Sequence, residues 1–164
     1  MATLGVKYFE VTIGGEDQWG LVFSYPEEAS QTFKLKAPVL FDATSGEIEI
    51  AVDTGFHFGL ALEAASGTTG TLIDVLISTS IQVVAGTLSD AGATVITAVT
   101  DVGREYSYIL STVTGETAKT VVDQADTTTP SCLIIALDPR DPTGDNNGRV
   151  LFMWNPDELY TTTT

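Results

Sequence analysis

The stretch Glu47-Ile48-Glu49-Ile50-Ala51-Val52 alternates between polar or small side chains and branched apolar ones. Side chains of an extended strand point alternately to opposite faces, so Ile48, Ile50 and Val52 would share one face. The turn-forming residues Thr44-Ser45-Gly46 stand directly before this stretch. The pattern predicts a half-buried β-strand that the chain enters from a tight turn.

Short β-prone runs recur on both sides of this strand, separated by Gly, Asp, Asn, Ser and Thr. Residues 85–93 are the least regular stretch, and a short helix there stays open. About ten short strands at this spacing are typical of a barrel or a sandwich. The other runs predicted as strands cover residues 6–13, 19–25, 33–41, 56–62, 71–77, 81–84, 95–99, 104–113, 119–122, 131–137 and 149–154.

The 164 residues suffice for one ordinary domain or two small ones, and we place a boundary near Ser78–Gln82. We therefore expect an all-β protein, with a small β-barrel or sandwich N-terminal domain followed by a second small β domain. Pro38 lies inside the run 33–41, and proline lacks the N–H that a ladder needs. That run is expected to be an edge strand or to contain a bulge. The expected organisation is an N-terminal arm or first strands over 1–25, a β-barrel domain over 26–80, a C-terminal β domain over 81–158 and a flexible tail over 159–164.

The charge balance limits the class of partner. Seven basic residues stand against 22 acidic ones, which gives a formal net charge of −15. Nucleic acid phosphates and anionic membrane surfaces would repel such a chain. Basic or apolar protein surfaces remain as partners. The first residues lack the apolar block of a signal peptide, and no run approaches the roughly 20 apolar residues of a membrane span, so we expect synthesis in a cytoplasm without general export.

The residues that catalysis most often requires are scarce. His57 is the only histidine and Cys132 the only cysteine. His57 lies in an apolar run, where a packed or surface histidine is the ordinary interpretation and a base for a nucleophile the alternative. Cys132 begins an apolar run that favours a small buried hydrophobe over a nucleophile. Because a Gly-x-Ser-x-Gly elbow, a phosphate loop and a zinc ligand set are missing too, we expect no enzyme, no cofactor and no metal.

Carboxylates are numerous, but the sequence singles out no acid–base pair among them. The polar run from Asp138 to Gly148 offers oxygens that suit Ca²⁺, although its spacing differs from that of an EF-hand loop. The Asp-Pro and Asn-Gly pairs in this run also form turns without any metal. Both interpretations of the loop stay open.

Aromatic residues crowd the first 25 positions, namely Tyr8, Phe9, Trp19, Phe23 and Tyr25. Such side chains either fill a core or anchor a contact with a neighbouring subunit, because aromatic residues are enriched in protein interfaces. We take these five residues as the candidate protein interface and leave the core interpretation open beside it.

Two sets of segments carry a resemblance to known proteins. The first comprises Phe33–Val39, Gly46–Ile48, Gly59–Gly67 and Ile73–Ile77, and it resembles the small β-barrel domain of head decoration (capsid cement) proteins. The second comprises Val102–Tyr106, Val121–Asp123, Asp126–Thr128 and Asn147–Phe152, and it is similar to the C-terminal β domain of proteins found beside phage capsid genes. Together they span most of residues 30–155 and consist of turn glycines and strand residues. Lys36 stands where such proteins often have glycine.

The resemblance implies a structural virion protein without catalytic residues. Its expected partners are the major capsid protein and further copies of itself, as a homotrimer at three-fold sites on the outer capsid surface. There it would bridge neighbouring shell subunits and stabilise the expanded head. A tail or neck component of a virion is the alternative. A sugar-binding module, suggested by the aromatic residues and carboxylates, is a further one.

Overall fold

The computed structural model describes residues 9–13, 21–51, 57–117, 119–141, 143–144 and 146–159. The strands in these ranges are β1 (Glu10–Ile13), β2 (Val22–Pro26), β3 (Pro38–Asp42), β4 (Glu47–Ile50), β5 (Gly59–Ala61), β6 (Leu72–Ile77), β7 (Val83–Asp90), β8 (Ala93–Thr94), β9 (Glu105–Leu110), β10 (Thr120–Asp123), β11 (Cys132–Leu137) and β12 (Arg149–Trp154). Two 3₁₀ helices, Val99–Asp101 and Pro156–Glu158, complete the elements of these ranges. The fold is all-β, which confirms the expected fold class. No helix in the described ranges has the length and apolar character needed to cross a membrane.

The first barrel consists of β2 to β6, in the order β2-β6-β5-β3-β4. A parallel bridge between Glu27 and Ile48 joins the two outermost strands. The Glu28 N–H also donates to the Ile48 carbonyl oxygen at 3.0 Å. The sheet thereby closes on itself around an apolar core. The buried residues of that core are Phe33, Ala37, Val39, Ile48, Ala61, Ile73, Val75 and Ile77.

Strand β3 is not an edge strand, so that prediction for residues 33–41 is wrong. It pairs with β4 on one side and with β5 on the other. Pro38 is tolerated because it is the first residue of the strand, and its carbonyl oxygen still accepts from the Ala51 N–H at 3.0 Å. Residues 33–37 precede the strand, and Lys36 has a φ of 62°, the left-handed conformation that glycine adopts at least cost.

The second barrel is a ring of pairings made by β7, β10, β9, β11 and β12. Strand β12 pairs with β7 from Val83 to Thr87, and β10 pairs with β7 in parallel at Leu88 and Ser89. Strand β1 lies beside the first half of β7, and β8 beside its end. The short helix left open for residues 85–93 does not form. Strand β7 is paired on both edges, and seven consecutive residues of it are buried, as in a strand covered on both faces.

A shared apolar cluster joins the two barrels. The second barrel contributes Phe9, Val84, Leu88, Tyr106, Tyr108, Val122, Cys132, Ile134, Val150, Phe152 and Trp154. Ala51 and Leu60 of the first barrel belong to the same buried cluster. Part of the outer face of the first barrel, on β5 and directly after β4, therefore belongs to the core of the second.

The strand predicted for residues 95–99 is wrong as well. Ile96 makes only an isolated bridge to Asn146, and a 3₁₀ turn begins at Val99. The Asp101 carboxylate accepts from the Ala98 N–H at 2.8 Å. This local side-chain bond satisfies the backbone in a turn and replaces a ladder bond.

Candidate protein-binding site

His57 lies in the core and is 1% exposed. Its ring centroid is 3.9 Å from that of Trp154 and 5.9 Å from that of Tyr108. Its backbone N–H donates to the Glu158 carbonyl oxygen. A histidine surrounded by aromatic rings in this way serves packing, which is the ordinary interpretation that the sequence suggested.

Cys132 is fully buried on β11, opposite Trp154 on one side and Tyr106 on the other. Burial raises the pKa of its thiol well above the usual value. The thiol is therefore protonated at neutral pH, and a protonated thiol is a poor nucleophile. Cys132 acts as a small apolar core residue.

Two aspartates of the 138–148 loop are held by arginines. The Asp138 carboxylate accepts from the Arg140 guanidinium at 2.6 and 2.9 Å. The Asp141 carboxylate accepts from Arg149 Nε at 2.8 Å and from Arg149 Nη2 at 3.1 Å. The backbone N–H of each arginine donates to the same carboxylate as its side chain. Arg140 in the loop and Arg149 at the start of β12 thus neutralise these two aspartates.

These contacts set the ionisation of the two carboxylates. Burial acts to raise the pKa of Asp138, but the hydrogen bonds from Arg140 outweigh it and the pKa is lowered. The hydrogen bond from Arg149 lowers the pKa of Asp141. Among the residues that the structure describes, no three His, Cys, Asp or Glu side chains lie together as a metal-ligand group. The geometry supports a turn that is fixed by its own ion pairs.

An open cleft of about 570 Å³ lies at the end of the second barrel. Its walls include Asp101, Arg104, Tyr106 and Pro130. The Tyr106 hydroxyl donates to Asp101 Oδ1 at 3.1 Å. Burial and this hydrogen bond raise the pKa of Tyr106 to about 12, so the hydroxyl keeps its proton at neutral pH. Asp101 also accepts from the Ala98 N–H, so the Tyr106 hydroxyl and the Asp101 carboxylate together hold the turn beside the cleft.

Of the five aromatic residues predicted as an interface, Phe9 lies in the core of the second barrel. It is 2% exposed, and its ring centroid is 5.3 Å from that of Phe152 and 6.1 Å from that of Trp154. A Cβ atom at Gly86 would lie 2.7 Å from a Phe9 ring atom, so glycine at this position lets the ring lie against β7. Phe9 thus follows the core interpretation that the sequence left open.

Tyr25 belongs to a partly buried aromatic cluster at one end of the first barrel. Its ring centroid is 5.4 Å from that of Phe41 and 5.2 Å from that of Phe58. Phe41 and Phe58 are 5.3 Å apart, so the three rings form a triangle. The triangle covers that end of the core. Tyr8 and Trp19 lie outside the described residues.

Phe23 stands in an exposed apolar run. The exposed fractions are 65% for Leu21, 41% for Val22 and 51% for Phe23. Ser24, the next residue, is exposed too. We call residues Leu21 to Ser24 the β2 strip. It is the feature of the described surface that best fits a contact with another protein, because exposed apolar patches with polar rims mark interaction sites.

The sequence did not single out Leu21 and Val22, although both lie in the apolar run before Pro26. Their apolar character is visible in the sequence, but their exposure depends on whether other parts of the chain cover the faces of β2. Phe41 and Phe58 were not recognised as partners of Tyr25 either. Their contacts with Tyr25 arise from the pairing of strands that are distant in sequence.

Comparison with known proteins gives no relative: no protein-family model, curated protein or solved structure matches this chain.

Proposed function

We propose that the protein is a structural component of a tailed-bacteriophage virion that binds the outer capsid surface and stabilises the expanded head. Its partner is the major capsid protein, and it acts as a homotrimer at three-fold sites. The resemblance of residues 30–155 to head decoration proteins supports the choice of partner and oligomer. The observation that carries the binding role is the β2 strip, with three consecutive exposed apolar residues.

Mass action explains how such binding stabilises a head. A ligand that binds only the expanded shell stabilises it by about 2.7 kcal/mol per site at a hundredfold excess over its dissociation constant. A trimer that engages three sites at once gains further through effective concentration. The net charge of −15 suits a location outside the shell, away from the packaged DNA.

Sedimentation with purified expanded heads of the phage that encodes the chain tests this function. The double variant Leu21→Ser/Phe23→Ser is expected to bind at least about tenfold more weakly, because the loss of apolar anchors typically costs about 2 kcal/mol or more. The double variant Val99→Ser/Val102→Ser removes exposed apolar residues of the second barrel and serves as the matched control. Wild-type occupancy by the first variant would contradict the role of the strip, and no binding by the wild type would contradict the function.

Mass spectrometry of separated heads and tails distinguishes the head from a tail or neck position. We expect the protein in the head fraction at a copy number comparable to that of a shell component. Light scattering gives the oligomer, and a mass three times that of the 17.4 kDa chain is expected. The trimer should weaken at low salt, because three chains of charge −15 repel one another when screening is poor.

A further inference from the structure

The hydrogen bonds of β2 divide its residues into two sets. The Leu21 carbonyl oxygen accepts from the Ile77 N–H at 2.8 Å, and the Glu27 N–H donates to the Thr71 carbonyl oxygen at 2.8 Å. Between these bonds β2 pairs with β6 in unbroken antiparallel register. Hydrogen-bonded and non-bonded pairs alternate in such a ladder. Odd-numbered residues of β2 therefore direct their backbone groups to β6, and even-numbered residues direct theirs away from it.

The outward backbone groups of the even-numbered residues reach another strand only beyond the end of β2. There the Glu28 N–H donates to the Ile48 carbonyl oxygen at 3.0 Å. Within the part of the chain that the structure describes, the backbone groups of Val22 and Ser24 on this side have no hydrogen-bond partner. Pro26 has no N–H to offer. We call the backbone groups of Val22 and Ser24 the β2 edge.

The side chains around this edge leave it accessible from both faces. Successive residues of a strand point to opposite faces. All four residues of the β2 strip are exposed, so neither face is covered. An accessible strand edge with unpaired N–H and C=O groups is a template for an added strand. Leu21 and Phe23 would supply apolar contacts on one face of that strand.

The surroundings of the edge are acidic. Asp74 lies on the neighbouring strand β6, and Asp42 and Glu47 lie at the same end of the barrel, where β3 ends and β4 begins. Lys34 and Lys36 are the two basic residues between Leu21 and Ile77, and they lie in the connection before β3, at the opposite end. An occupant with basic side chains would complement this rim.

We propose that the β2 edge binds an extended segment of a partner protein, which carries alternating apolar residues together with lysine or arginine. The segment adds a strand to the first barrel through hydrogen bonds to Val22 and Ser24. This inference deepens the proposed function, on which it rests for the identity of the partner. A second copy of this chain is a poor occupant, because two chains of charge −15 would bring acidic rims together.

Two variants at one position test the backbone contact in the sedimentation assay with expanded heads. Ser24→Pro removes the outward N–H, and proline is tolerated where the N–H of an edge strand faces solvent. Ser24→Ala keeps the N–H and, like Ser24→Pro, loses the hydroxyl bond to Asp74. We expect Ser24→Pro to weaken binding at least about tenfold and Ser24→Ala less than about threefold. Thermal unfolding by circular dichroism verifies that both variants fold.

A second measurement decides the inference without capsids. Amide exchange of the full chain is followed by NMR with a short synthetic peptide of alternating valine and lysine, and with a matched peptide of valine and glutamate. The lysine peptide is expected to slow exchange of the Val22 and Ser24 amides. The amides of Phe23 and Tyr25, already bonded to β6, should change little. The glutamate peptide should leave all four unchanged.

The two experiments separate the two proposals. Heads that bind wild type, Ser24→Ala and Ser24→Pro equally would overturn the edge inference and leave the proposed function standing. Absence of any head binding, with the Val22 and Ser24 amides still protected by the lysine peptide, would remove the capsid function and retain the edge. A lysine peptide that leaves both amides at their free exchange rates would overturn the inference.

Discussion

The two barrels contain the same number of ring strands but close differently. The first closes through the Glu27–Ile48 bridge and the neighbouring bond from Glu28. The second closes through five residue pairs between β12 and β7, over an aromatic core. The long seam of the second barrel leaves little of its β7 edge uncovered, whereas the short seam of the first leaves the β2 edge open. The extent of the seam therefore decides which barrel can offer a strand edge to a partner.

The largest effect on stability is expected from Phe152→Ala in the second barrel. Phe152 is fully buried against Phe9 and Trp154, so the free energy of unfolding should fall by about 3–5 kcal/mol. The matched change Phe23→Ala, at a residue 51% exposed, should cost less than about 1 kcal/mol. Urea denaturation followed by circular dichroism measures both. Equal losses would remove the distinction between a core and a surface phenylalanine.

The next largest effect on stability concerns the seam of the first barrel, which is the Glu27–Ile48 bridge together with the neighbouring bond from Glu28. The buried Glu27 carboxylate accepts from the Ser66 N–H at 2.9 Å, the Ser66 hydroxyl at 2.9 Å and the Gly67 N–H at 2.6 Å. Glu27→Ala should lower the free energy of unfolding by about 1.5–3 kcal/mol, the usual range for hydrogen bonds to a charged group. Hydrogen exchange should speed up at Glu28, whose N–H bonds to β4.

Glu63→Ala is the control for this prediction, because Glu63 is exposed and carries the same charge. Its effect should stay within about 0.5 kcal/mol. If both glutamate variants unfold at the same urea concentration, the Glu27 carboxylate does not hold the seam.

A smaller effect on stability is expected when the pH is lowered, and it concerns the second barrel. The lowered pKa values of Asp138 and Asp141 mean that the folded state binds protons less tightly than the unfolded chain. Their stabilisation is complete above the ordinary aspartate pKa of about 4 and is lost as the pH falls through the lower folded-state values. Asp141→Asn should be less stable at neutral pH and should lose less stability on acidification. Denaturation midpoints from neutral to strongly acid pH measure this, and identical pH profiles would contradict it.

Strand positions can be predicted from this sequence far better than strand partners. The runs at residues 47–52, 71–77 and 149–154 coincide closely with β4, β6 and β12, because β-branched residues and turn residues act locally. Closure depends on contacts distant in sequence, such as the Glu27–Ile48 bridge. The Glu27 side chain accepts bonds from Ser66 and Gly67, 39 and 40 positions away. No local pattern marks Glu27 as buried.

The same reasoning applies to the candidate site. Aromatic crowding predicts an interface that includes Phe23, and the structure places this residue in an exposed strip. It cannot predict that Phe9 fills the core of the second barrel, because that position depends on Gly86 and Phe152. Aromatic crowding also cannot predict the open edge at Val22 and Ser24. This edge is open because the contact with β4 is made only beyond the end of β2.

The position of Phe9 also bears on how the chain folds during its synthesis. Phe9 precedes the first barrel in the chain yet packs against Phe152 and Trp154 of β12. The first barrel can close once residue 77 has left the ribosome, but Phe9 must wait for a partner 145 positions later. At about 5–20 residues per second, that delay is about 7–30 s. Throughout this interval the Phe9 ring lacks its native contacts with β12, which gives chaperones that bind apolar segments of nascent chains time to bind at Phe9.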